Sequence, residues 1–135
     1  MYNNDAKIKI PGLFKLQGSK FKMLNLLNSV VPQQCKTYVE PFFGSGTLFF
    51  NREPVEVEVI NDFDKQLVTL FRVLQDKTKY EMLRHKLMYT MYSRSEFGRA
   101  IDISNNDSAD DVDMAWAVFI CHNIVTGKQI GRAHV

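Results

Sequence analysis

From Lys20 to Val30 apolar residues fall at Phe21, Met23, Leu24, Leu26, Leu27 and Val30, close to the i, i+3, i+4, i+7 pattern of an amphipathic helix. Pro32 ends it. Thr37-Tyr38-Val39 is a short β-prone run that stops at Glu40-Pro41. Phe42-Phe43-Gly44-Ser45-Gly46-Thr47 then reads as a glycine turn opening into a helix at Leu48-Phe49-Phe50-Asn51. Beyond Arg52-Glu53-Pro54, the stretch Val55-Glu56-Val57-Glu58-Val59-Ile60 alternates apolar and acidic residues with period two, which predicts a strand with one wetter face ending at Asn61-Asp62. Helical spacing resumes at Leu67, Leu70, Phe71 and Leu74 behind an N-cap at Asp64, and again at Tyr80, Leu83, Leu87 and Met91. Ser93-x-x-Glu96 is a capping-box pattern for another helix. A polar loop from Ser104 to Ser108 precedes a last helix carrying Val112, Ala115, Trp116, Phe119 and Ile120. That helix is expected to bury Trp116, Phe119 and Ile120 while leaving part of its apolar face exposed, because partner strands are missing.

Helix, strand, helix, strand and then helices is an order that makes the two strands parallel neighbours joined by a right-handed crossover. An α/β, Rossmann-like start is the fold this implies. Two strands do not make a stable sheet, so further strands are expected along a longer chain. No internal repeat or low-complexity linker interrupts the 135 residues.

Composition narrows the picture without deciding it. At 45% hydrophobic and 24% charged, the chain has the make-up of one soluble globular domain. No apolar run approaches the roughly 18 residues that span a bilayer, and the N-terminal residues lack the apolar centre of a signal peptide, so the expected address is the cytoplasm with no membrane partner. Cys35 and Cys121 have no ligand spacing around them and read as reduced, structural thiols, with no metal site expected. A net charge of +2 neither supports nor excludes nucleic acid.

Candidate chemistry lies at the glycine turn. Glu40-Pro41-Phe42-Phe43-Gly44-Ser45-Gly46 sits where a first strand hands over to a helix, the edge at which α/β sheets bind ligands. Glycine there lets the backbone approach a ligand closely. Asp62, ending the second strand, is placed as a ribose-hydroxyl acceptor in Rossmann-type sites would be. The turn departs from GxGxxG, since the third glycine position is Phe49. A pyrophosphate cradle is therefore disfavoured, leaving a nucleoside site without a phosphate clamp, which S-adenosylmethionine suits.

Several segments resemble the Dam-like or D12 class of adenine-N6 DNA methyltransferases, particularly its phage and prophage members. Phe14-Lys15-Leu16-Gln17-Gly18-Ser19-Lys20 looks like the family's N-terminal cofactor motif, and Thr37-Tyr38-Val39-Glu40-Pro41-Phe42-Phe43-Gly44-Ser45-Gly46 is similar to its glycine-loop motif. Val59-Ile60-Asn61-Asp62-Phe63-Asp64 with the following Leu67-Val68 and Leu70-Phe71-Arg72-Val73-Leu74 resembles its second-strand acidic motif and the helix after it. Tyr92-Ser93-Arg94-Ser95-Glu96-Phe97 looks like a segment recurring in the phage-type branch. The resemblance implies a truncated Rossmann-like class I methyltransferase fold, S-adenosylmethionine as cofactor and double-stranded DNA as partner, in a restriction-modification or phage setting. It also implies cofactor contacts from Leu16, Gln17, Gly18 and Lys20, from the loop Glu40, Pro41, Phe42, Phe43, Gly44 and Gly46, and from Asp62, which would hold the ribose. Leu16 departs from the pattern, where the family usually has Trp or Tyr.

The family's catalytic motif is (Asp/Asn/Ser)-Pro-Pro-(Tyr/Phe/Trp), whose polar groups accept from the amine of a flipped-out adenine. Here the 4 prolines are Pro11, Pro32, Pro41 and Pro54, none adjacent to another, so no catalytic residue can be named and the chain is expected to be inactive as it stands. Residues 1–128 read as the N-terminal part of the cofactor domain, with a helical target-recognition insertion beginning at about residue 77. Lys77, Lys79, Arg84, Lys86, Arg94 and Arg99 are scattered over it, and a solvated face explains them as well as DNA contact does. The last residues, Ile130-Gly131-Arg132-Ala133-His134-Val135, read as the translation of a short-read sequencing adapter, so residues 129–135 are expected to be foreign to the gene. Two other readings stand beside the enzyme: a noncatalytic or degenerate nucleotide-binding module, and an NAD-dependent oxidoreductase, the latter weakened by the absent third glycine.

Overall fold

A computed structural model describes residues 13–14 and 19–124, and the chain divides into two compact units, Met1–Asn61 and Asp62–Val135. The expected tail at 129–135 lies outside the described residues.

In the first unit Ser19 caps a 3-10 turn, Lys20–Met23, that runs into helix α1, Leu24–Val30. Strand β1, Thr37–Glu40, pairs in parallel with β2, Val57–Ile60, with Thr37 opposite Val57 and Glu40 opposite Ile60. Residues on one strand alternate between faces, and paired residues in a parallel ladder share a face. Tyr38 and Glu40 therefore lie on one face, where both are buried. Thr37, Val39, Val57 and Val59 lie on the other, where the three valines are 55%, 46% and 45% exposed. β2 forms where the alternation predicts a strand, though from Val57 and not Val55, and the expected contrast between a drier and a wetter face is absent: Val57, Glu58 and Val59 are all exposed and Ile60 is half-buried.

The helix expected at Leu48 is a single 3-10 turn, Phe49–Asn51, after which Arg52 is extended. Four bonds shape it locally: Phe50 N–H to the Gly46 carbonyl at 2.9 Å, Asn51 N–H to the Leu48 carbonyl at 3.1 Å, Arg52 N–H to the Phe49 carbonyl at 3.2 Å, and the Asn51 side-chain amide to the Thr47 carbonyl at 2.7 Å. The reason is packing. Phe43, Phe49 and Phe50 meet edge to face at centroid distances of 5.3, 6.3 and 5.4 Å, and Pro54 comes too soon for a second turn. The crossover between the strands is thus an aromatic-filled loop.

The second unit is helical. Helix α2, Lys65–Gln75, starts at Asp64, whose carboxylate accepts from Gln66 N–H at 2.9 Å and Leu67 N–H at 3.4 Å. Asp76 caps α3, Lys77–Met88, and Ser93 caps α4, Arg94–Ser104, by accepting from Glu96 N–H at 3.1 Å. The Glu96 carboxylate turns to Arg99 at 2.8 Å. Helix α5, Asp111–Ile124, packs against α2, α3 and α4. Ala115, Trp116, Ala117 and Val118 are consecutive and all buried, so α5 is covered on every side, as a central helix must be. The expected exposed face on α5 is absent among its described residues: Trp116 and Ile120 are buried and Phe119 half-buried. Neighbouring helices supply the cover.

Trp116 is fully buried, its indole N–H donates to Thr90 Oγ1 at 2.7 Å, and Lys86 and Arg99 stand over its ring at 4.9 and 4.4 Å. Lys86 also pairs with Asp113, and Lys79 with Asp111. These cations of the 77–99 stretch thus have partners within their own unit. Among the described residues no cluster of His, Cys, Asp and Glu could hold a metal, and no helix is long and apolar enough to cross a membrane.

Candidate cofactor site

The carboxyl end of β1 carries a buried charge. Glu40 is 5% exposed, and both of its carboxylate oxygens are engaged: Oε2 accepts from the Tyr38 hydroxyl at 2.8 Å, and Oε1 from the Lys20 ammonium at 2.6 Å. A buried carboxylate requires such partners, since desolvation without them is costly. Lys20 donates in addition to the carbonyl of Phe42. A lysine in the first turn of a helical segment opposes the local dipole. Its partners here are the strand end and the loop, which accounts for the conflict.

Main-chain bonds and the Asn61 side chain hold the loop to the ladder. Asn61 N–H donates to the Glu40 carbonyl at 2.9 Å, Phe43 N–H to the Asn61 carbonyl at 2.9 Å, and the Asn61 side-chain amide to the Pro41 carbonyl at 3.2 Å. Gly46 N–H then closes a turn on the Phe43 carbonyl at 3.0 Å. Gly44 and Gly46 take φ of 56° and 74°, in the left-handed region that side chains resist. At Gly46 a second constraint acts: a Cβ would stand 2.6 Å from the Phe50 ring and 2.8 Å from that of Phe43. Gly46 is thus required by the aromatic cluster as well as by its dihedral. Hydroxyls complete the ring of contacts, with Ser19 and Ser45 Oγ lying 3.2 and 3.1 Å from Thr47 Oγ1.

Of the residues expected at a site, the structure gathers Lys20, Glu40, Pro41, Phe42, Phe43, Gly44 and Gly46 around one loop. Phe42 is 75% exposed, whereas Phe43 is buried among aromatic rings with its main-chain N–H and carbonyl both engaged, by Asn61 and Gly46. Asp62 comes directly after Asn61 and opens the second unit; its Oδ1 accepts from Asp64 N–H at 3.0 Å, an Asx turn leading to the cap of α2. Leu16, Gln17 and Gly18 lie outside the described residues.

Tyr38, Arg52 and Thr47 are members of this cluster that residue patterns did not single out. The Arg52 guanidinium stands 4.4 Å over the Tyr38 ring and donates to the Pro32 carbonyl at 2.8 Å. Burial, reinforced by the Glu40 carboxylate, pushes the Tyr38 hydroxyl well above its usual range, so it remains a donor. The one available signal was spacing: residues two apart on a strand share a face, which places Tyr38 beside Glu40.

A family model described as D12 class N6 adenine-specific DNA methyltransferase matches residues 17–126, a range that contains the whole loop, Lys20 and Asp62. The chain belongs to that family. It is 34% identical over 70 residues to the Type II methyltransferase M1.LlaDCHI of Lactococcus lactis subsp. cremoris, 52% of this chain and 24% of that protein. It is 29% identical over 69 residues to a DNA adenine methylase of Haemophilus influenzae and 32% identical over 63 residues to the Type II methyltransferase M.CviBI of Paramecium bursaria Chlorella virus NC1A. These alignments cover 51% and 46% of this chain and 24% of each relative. The chain thus spans about a quarter of the length of the curated relatives it matches. Their names describe two Type II methyltransferases, one bacterial and one viral, and a bacterial DNA adenine methylase.

Proposed function

We propose that this chain is the S-adenosylmethionine-binding N-terminal part of a D12-class enzyme that methylates adenine N6 in double-stranded DNA. The observation that carries the reading is the closure of the glycine loop by Lys20, which ties the end of β1 to the Phe42 carbonyl on the sheet edge where α/β proteins bind ligands. Its two parallel strands are the start of a Rossmann-like class I sheet. Residues 1–128 form the cofactor part, the helices from about residue 77 begin the target-recognition insertion, and 129–135 are foreign to the gene. The setting is the cytoplasm of a bacterium, or of one infected by a phage.

The residues present fit a nucleoside ligand that carries no phosphate. Lys20, the cation that closes the loop, is already neutralised by Glu40, and the Arg52 guanidinium is stacked on Tyr38, which argues against the NAD reading with its pyrophosphate. Exposed Pro41 and Phe42 offer an apolar wall, and Gly44 at φ 56° has no side chain to keep a ligand from the turn. Asp62, by resemblance, accepts from the ribose hydroxyls. The cofactor, when bound, supplies a sulfonium methyl group for transfer. Groups that would accept from the adenine amine belong to the Pro-Pro motif that this sequence does not contain, so the chain alone is inactive.

Calorimetric titration with S-adenosylhomocysteine tests the cofactor assignment. The chain should bind it, and Lys20→Met should weaken binding about tenfold by freeing the loop. A titration with no heat of binding, or a melting temperature raised by NAD and not by S-adenosylhomocysteine, would overturn the assignment. Transfer of labelled methyl groups to unmethylated duplex DNA should stay at background; turnover above it would place the chemistry within these residues after all.

A further inference from the structure

We infer that Tyr38 is a positioning residue for the glycine loop: its phenol holds the Glu40 carboxylate in the orientation that captures Lys20, and Lys20 in turn fixes the Phe42 carbonyl. The inference rests on the reading of that loop as a cofactor cradle. Its basis is a continuous set of contacts inside the first unit. Tyr38 is 8% exposed, and its ring packs against Arg52, 4.4 Å from its centroid, and Phe49, whose ring lies at 6.4 Å and 38°. So fixed, the hydroxyl meets Glu40 Oε2 at 2.8 Å and leaves Oε1 for the ammonium at 2.6 Å.

The last torsion of a glutamate is broad and close to two-fold, so packing along the stem does not by itself choose where the two oxygens point. A hydrogen bond to one oxygen does. Replacing the phenol by a phenyl ring removes a single atom, keeps the ring's contacts with Arg52 and Phe49, and leaves a buried carboxylate oxygen short of a donor. The carboxylate is then free to rotate, and Lys20 loses the fixed acceptor that holds it across the loop. A ring that served only to fill space would be replaced by phenylalanine without consequence.

Amide hydrogen exchange on the ligand-free full chain separates the two roles. In Tyr38→Phe the Phe43 and Gly46 amides should exchange about three- to tenfold faster, the scale of one net hydrogen bond, while the Val57 and Asn61 amides that join the ladder keep their protection. Glu40→Gln leaves an acceptor for the phenol but loosens the hold on Lys20. It should free the same loop amides, and adding Tyr38→Phe to it should add little. Unchanged loop exchange in Tyr38→Phe, an undiminished effect in the Glu40→Gln background, or loss of protection at Val57 and Asn61 would each overturn the inference, the last by making Tyr38 a core residue. Binding of S-adenosylhomocysteine should weaken in Tyr38→Phe by a similar factor, and an unchanged affinity beside a loosened loop would also overturn it. If the unmodified chain does not bind that ligand, the cofactor reading fails on its own, and exchange still decides what Tyr38 does.

Discussion

Gly46 is held by two independent constraints, and a single methyl group tests both. Alanine there must take a φ of 74° and place its Cβ within 3 Å of two aromatic rings. Gly46→Ala should cost about 2–4 kcal/mol of stability by urea denaturation, combining dihedral strain with overpacking. Gly44→Ala, strained at φ 56° in a half-buried position, should cost about 1 kcal/mol. The other informative residue is His122 on α5, where burial lowers the imidazole pKa from 6.5 and Asp64 partly offsets this. A depressed folded-state value means that the fold prefers the neutral ring. Its contribution is therefore complete above pH 6.5 and is lost as pH falls through the folded-state value. His122→Gln should flatten the decline in stability between neutral and mildly acidic solution. An unchanged pH profile in that variant would show that other groups govern the decline.

At the scale of elements, helix starts are set by neighbours in sequence, and two of them were readable from the chain, while the Asp76 cap of α3 was not. Asp64 and Ser93 cap as their positions imply. Asp64→Ala should cost about 1 kcal/mol in thermal unfolding, and Asp64→Asn, which keeps an acceptor oxygen, much less. Equal losses in the two would assign the cost to the Asp64–His122 electrostatics instead. The parallel pairing of β1 and β2 was also legible from element order, and with it the place of the glycine loop. Two features were not legible. The helix expected after the loop shrinks to one turn because three phenylalanine rings converge from positions 43, 49 and 50, a tertiary event with no period in the sequence. The cover over α5 comes from helices spread across residues 65–104, whose apolar stripes name no partner until they pack. Lys20 lay between these cases. Its clash with the helix dipole was visible, but its partners Glu40 and Phe42 were not.

Among the described residues of the whole molecule, apolar surface is open on the sheet, as it is at Leu26 and Val30 of α1, at Phe63 and from Met88 to Tyr92, but not on the last helix. Val39, Val57 and Val59 form one bare face, although parallel strands are ordinarily covered on both. Isolated chain should therefore bind a hydrophobic dye, and Val57→Thr with Val59→Thr should lower that binding; dye fluorescence unchanged by the pair would place the sticky surface elsewhere. Trp116 is the chain's 1 tryptophan, and it is sealed among helices beneath two cations. The molecule therefore carries its own optical gauge of the helical unit. Emission should sit toward the blue, and acrylamide should quench it weakly until the helices part. A state that kept its helical dichroism while its core loosened would be betrayed by the indole first.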